Sequence, residues 1–77
     1  MKNAYKTKDL AEASFLLANG KKLLLLERDG RVCWFVYPDR TECETLVSSF
    51  WFNDAVVNAK NFYDAIQMLK GRIFSQI

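Results

Sequence analysis

Residues 21–37 read KKLLLLERDGRVCWFVY, two apolar runs separated by Asp29-Gly30. Asp-Gly between such runs is a strong hairpin signal, because a type I′ turn needs positive φ at both central residues. The turn predicts strands over 21–28 and 31–37. It sets Arg28 opposite Arg31, Leu26 opposite Cys33, Leu24 opposite Phe35 and Leu25 opposite Trp34. Alternation then makes both faces of the ribbon apolar. One carries Leu24, Leu26, Cys33 and Phe35, the other Leu23, Leu25, Val32, Trp34 and Val36. A face that meets water is normally polar, so both call for cover. Helices on both sides, a third strand or a second copy of the chain would each supply it. About 200 Å² of apolar surface left in water forgoes ~5 kcal/mol, as much as the whole stability of a small domain. The expectation is a homodimer, with Leu23, Leu25 and Trp34 among its contacts.

The remainder of the 77 residues supplies helices. Residues 1–7 read as an N-terminal arm. Thr7 is placed to cap a helix with Asp9 in its first turn. Leu10, Ala13, Leu16 and Leu17 recur at helical spacing until Asn19-Gly20, giving a helix over 8–19. Pro38 ends the second strand. Thr41 and Glu44 have capping-box spacing, with Asp39 as the alternative cap. Cys43, Leu46, Val47, Phe50 and Trp51 form one stripe over 40–52. Asn53-Asp54 interrupts the pattern, and Ala55-Val56-Val57 is a candidate third strand. Asn58 caps a third helix whose inner face runs from Ala59 through Phe62, Ile66, Leu69 and Ile73 to Ile77. Gly71 costs ~1 kcal/mol there against Ala and is a candidate stop. The reading is one α+β domain over 1–77, a hairpin packed with three helices in the order α-β-β-α-(β)-α.

The chemistry is sparse. The chain has no histidine, the commonest general base. Cys33 and Cys43 stand ten residues apart, outside any metal-ligand spacing, and read as small buried hydrophobes. Ser14, Ser48 and Ser49 have no basic partner. Glu42 and Glu44 are two apart, so a helix does not bring them face to face. No glycine-rich phosphate loop is present. These features predict a protein that is not an enzyme, with no cofactor and no metal. The longest apolar run is Val32–Tyr37, too short to span a membrane. No apolar segment of the secretory kind precedes Asp9, so the expected compartment is the cytoplasm, with both cysteines reduced.

That leaves contact surfaces. Phe50-Trp51-Phe52 cannot all lie on one helical stripe, so Trp51 and Phe52 join Leu23, Leu25 and Trp34 as candidate self or partner contacts. The leading function is a non-catalytic interaction or adaptor protein with an unidentified protein partner. The alternative is a DNA- or RNA-binding regulator. A two-stranded ribbon fits a major groove, and Arg28 and Arg31 flank the tip with Lys21 and Lys22 at its far end. A net charge of +2 does not favour nucleic acid by itself. A small-ligand sensor with an aromatic pocket at a dimer seam is a third class.

From Lys6 to about Phe74 the chain resembles a family of small uncharacterised proteins of bacteria and their mobile elements or phages. The features that carry the likeness are Thr7-x-Asp9-Leu10, Leu16 with Gly20, Trp34-Phe35-Val36, Leu46-Val47 with Phe50-Trp51, and Leu69-Lys70 with Phe74. The resemblance implies a self-contained chain in a bacterial accessory-gene setting. It transfers no catalytic or binding residues.

Overall fold

The alternation of Val32–Tyr37 is realised as the middle strand of a three-stranded antiparallel sheet in the computed structural model, which describes residues 3–52 and 55–75. The elements are β1 (Tyr5–Thr7), α1 (Leu10–Ala18), β2 (Leu25–Asp29), β3 (Val32–Tyr37), α2 (Arg40–Trp51) and α3 (Ala59–Ser75). The fold is α+β, with spatial strand order β1-β3-β2.

Two expectations about the sheet are corrected. The third strand comes from Tyr5–Thr7, read above as part of an arm, whereas 55–57 form no strand. Tyr5 pairs with Tyr37, Lys6 with Val36 and Thr7 with Phe35. Strand formers flank a lysine there at period two, but three residues are too short a pattern to stand out. The element order is therefore β-α-β-β-α-α.

The hairpin turn is also shifted. Asp29 pairs with Val32, so Gly30-Arg31 is the loop rather than Asp29-Gly30. Gly30 has φ 62° and Arg31 is not left-handed. Glycine at the first central position, followed by a residue of negative φ, is the type II′ pattern. The pairing moves by two positions, so Leu26 faces Phe35 and Glu27 faces Trp34. A shift of two preserves faces from Leu25 onward. Upstream the alternation breaks. The Leu24 N–H donates to the Val36 carbonyl at 2.8 Å, while Leu25 is the register partner of Val36. Two residues opposing one is the geometry of a β-bulge. It lets Leu23 and Leu26, three apart, both pack on the core, and leaves Leu24 and Leu25 each 41% exposed. The expected sides of Leu23 and Leu24 are thus exchanged.

Helix ends follow local capping chemistry. Asp9, not Thr7, caps α1, its carboxylate accepting the Glu12 N–H at 2.9 Å. Thr7 is a strand residue whose hydroxyl accepts the Asp9 N–H. Gly20, at φ 88°, closes α1, with the Lys21 and Gly20 N–H groups returning to Leu16 and Leu17. Those two bonds make a Schellman motif, which needs a left-handed residue. Asp39 caps α2 from the left-handed region, φ 62°, accepting the Glu42 N–H at 3.3 Å. Asn58 caps α3 through the Asn61 N–H at 3.0 Å. α3 runs through Gly71 to Ser75, because Leu69 and Ile73 on either side are held against the core. The interruption read at Asn53-Asp54 and the terminal Ile77 lie outside the described residues.

All three helices cover the same side of the sheet. Phe35 and Tyr37 from β3 meet Ala13 and Leu16 from α1, Cys43 and Val47 from α2, and Leu69 from α3. The result has two layers, helices over sheet. On the opposite face, among the described residues, Leu25 and Val32 are exposed and Val36 is buried.

Candidate functional site

β3 divides its side chains by parity. Phe35 and Tyr37 point into the core, while Val32, Trp34 and Val36 point to the open face. Leu25, Glu27 and Asp29 of β2 and Lys6 of β1 share that face through the register. Leu25 is 41% and Val32 37% exposed, and Trp34 is half-buried. Val36, flanked in the register by Lys6 and Leu25, is buried.

Charge on this face is ordered across the strands. Lys6 and Lys8 stand on the β1 side, Glu27 and Asp29 on the β2 side, and the apolar ridge of β3 lies between them. The Lys6 ammonium reaches over the ridge to Glu27 Oε1 at 2.8 Å, both side chains about half exposed. Such a pair contributes at most ~1 kcal/mol in water. Lys8 Nζ sits 5.9 Å from the centre of the Trp34 ring, a cation–π contact of ~0.5–1 kcal/mol at an exposed site. Extending the β1–β3 register by one residue sets Lys8 level with Trp34, and Glu27 is its partner on the other side. One row therefore reads cation, indole, anion.

The aromatic run at the end of α2 forms a second surface. Phe50 turns inward, with its ring centre 4.9 Å from Phe15 and 6.4 Å from Phe62. Trp51 and Phe52 remain 54% and 73% exposed. Trp51 is nevertheless anchored. Its indole N–H donates to Glu12 Oε2 at 2.8 Å, while the Tyr5 hydroxyl donates to Glu12 Oε1 at 2.6 Å. Partial burial, then the hydrogen bond to Glu12, push the Tyr5 pKa well above its ordinary value.

The five predicted contact residues do not form one patch. Leu25 and Trp34 share the open sheet face, Leu23 packs on the core, and Trp51 and Phe52 belong to the α2 end. The four predicted nucleic-acid residues are also dispersed. Arg31 is in the turn, and Arg28 donates from Nε to the Gly30 carbonyl at 3.1 Å. Lys21 lies beyond the other end of β2, paired with Glu42 and only 15% exposed in its side chain. That hydrogen bond raises the Lys21 pKa. Lys22 is exposed beside it, Glu27 lies between the two basic groups along the strand, and Asp29 lies between the two arginines.

Sequence reasoning overlooked Lys6, Lys8 and Glu27 as site residues. The signal was present in Tyr5-Lys6-Thr7-Lys8, where alternation sends both lysines to one side once Tyr5 and Thr7 are given to the core side. Among the described residues, no three His, Cys, Asp or Glu side chains are grouped as metal ligands require, and no helix is long and apolar enough to cross a membrane. A family model described as a domain of unknown function (DUF5659) matches residues 2–75. No curated protein and no solved structure matches the chain.

Proposed function

The chain belongs to the DUF5659 family of domains of unknown function, and on that premise we propose that it is a non-catalytic protein-interaction module acting as a homodimer. The observation that supports this is the uncovered side of the sheet, where Leu25, Val32 and Trp34 meet solvent while all three helices occupy the other side. An antiparallel sheet commonly leaves one face wet, but that face is then polar. Here its middle strand presents an exposed Val32 and a half-buried Trp34, with Val36 buried beside them. An apolar patch rimmed by charge marks an interaction surface. The reading places the protein in the cytoplasm, in the bacterial accessory-gene setting that the sequence resemblance implies. Nucleic acid draws less support, because Glu27 and Asp29 stand beside the cations that would meet phosphate.

A dilution series of amide NMR spectra tests this reading. Resonances of Leu25, Val32 and Trp34 are expected to move with concentration. If the moving set is instead Trp51 and Phe52, the contact surface is the α2 end. If nothing moves and the rotational correlation time is that of an 8.9 kDa monomer, the homodimer is excluded.

A further inference from the structure

We infer that the open sheet face is covered by a second copy of the same chain, packed face to face about a two-fold axis parallel to β3. This rests on the reading above that the face is a contact surface, and adds the partner and its orientation.

The argument is charge complementarity. The face has a basic edge, Lys6 and Lys8, and an acidic edge, Glu27 and Asp29, on either side of β3, whose Val32 is exposed, Trp34 half-buried and Val36 buried. Two two-fold axes in the plane of contact would bring identical faces together with their strands nearly aligned, one of the two common sheet packings. An axis perpendicular to β3 sets each edge over its own copy, lysine over lysine and carboxylate over carboxylate. An axis parallel to β3 exchanges the edges. The row Lys8, Trp34, Glu27 then lies over its own reverse. Lys8 meets the partner's Glu27, the two indoles meet at the axis, and the stem of Lys6 meets the partner's Leu25.

The pairing capacity is available. Lys8 has no carboxylate within ion-pair distance among the described residues. Glu27 uses Oε1 for Lys6, which leaves Oε2 to accept from the partner's Lys8. A face with two cations and two anions is neutral, which suits a copy of itself better than a polyanion. β3 is six residues long, between β2 of five and β1 of three, so with strands about 4.8 Å apart the patch is at most ~14 by 20 Å, smaller than the ~800 Å² per partner of a standard specific interface and of the size of a weak, transient contact. In a contact that small, like charges set opposite one another decide whether it forms.

The test uses two charge reversals, Lys8→Glu and Glu27→Lys, on exposed positions, each checked for native circular dichroism. Light scattering should show the wild type moving from 8.9 kDa towards twice that mass as concentration rises. Each variant alone should dissociate at least ~10-fold more readily, since each sets like charges opposite one another twice. An equimolar mixture should regain the wild-type affinity, because the heterodimer restores both unlike pairs. Wild-type association that both reversals leave unchanged, or a mixture no tighter than either variant alone, overturns the proposed orientation and leaves the interaction reading standing. A wild type monomeric to about 1 mM, a concentration at which even weak dimers are populated, overturns the second copy as occupant. Binding of mixed-sequence RNA to that monomer, lost in Lys8→Glu, would assign the face to nucleic acid and overturn the inference as well.

Discussion

The Tyr37 hydroxyl donates a 2.7 Å hydrogen bond to the main-chain carbonyl of Ala13, tying the end of the central strand to the middle of α1 inside the core. Burial pushes the Tyr37 pKa well above its ordinary value of 10.0, and Tyr5 is raised as well. A raised pKa means that the fold binds the phenol proton more tightly than the unfolded chain does. The resulting stability is present below pH 10 and is lost as pH rises through the folded-state values. Thermal unfolding between pH 7 and pH 12 should show this alkaline loss. Tyr37→Phe should cost about 1 kcal/mol at pH 7 and flatten the alkaline slope. An unchanged slope in that variant would contradict the assignment.

Glu12 accepts from Tyr5 through one oxygen and from Trp51 through the other. A glutamine has a single acceptor oxygen, so Glu12→Gln keeps one bond and opposes two donors at the other site. The expected cost is about 1 kcal/mol. In a Trp34→Phe background, acrylamide should quench the remaining Trp51 fluorescence more strongly after the change. Equal quenching would show that the carboxylate does not hold the indole.

Gly71 lies inside α3, exposed, and a Cβ placed there meets nothing within 4 Å. Gly71→Ala should therefore raise stability by ~0.5–1 kcal/mol, the difference in helix propensity. A loss of stability in urea unfolding would mean that the α3 surface at Gly71 is occupied in solution.

The two free thiols differ in access. Cys43 is buried, with its Sγ 3.3 Å from the Pro38 carbonyl, and burial raises its pKa. Cys33 is only partly buried. Ellman's reagent should modify Cys33 first and Cys43 only on unfolding. Rapid modification of both in the folded protein would mean that α2 detaches readily from the core.

The long-period signals were legible and the short ones were not. Helical spacing located α1, α2 and α3 to within about two residues at most ends, because each repeats its apolar stripe over several turns. The hairpin was legible from Gly30, but not its register, since I′ and II′ turns place their glycine at different loop positions. The bulge at Leu24 was hidden because four consecutive leucines show no alternation to interrupt. β1 was hidden by its length. With it went the two lysines of the Trp34 face of the sheet, so that of the five expected contacts Leu23, Leu25, Trp34, Trp51 and Phe52 the two that share it, Leu25 and Trp34, stood without the charges that flank them.

The placement of Tyr5–Thr7 against β3 rather than β2 has a consequence for the birth of the molecule. β2 and β3 meet across a two-residue loop, and such a hairpin forms in microseconds. Tyr5 must wait for Tyr37, 32 positions later, and the closure of that loop carries a larger entropic cost. On the ribosome the first strand made is the last to find its partner. The direction of synthesis and the direction of sheet assembly are opposed, and a chain cut short of β3 has no sheet for its N-terminal strand to join.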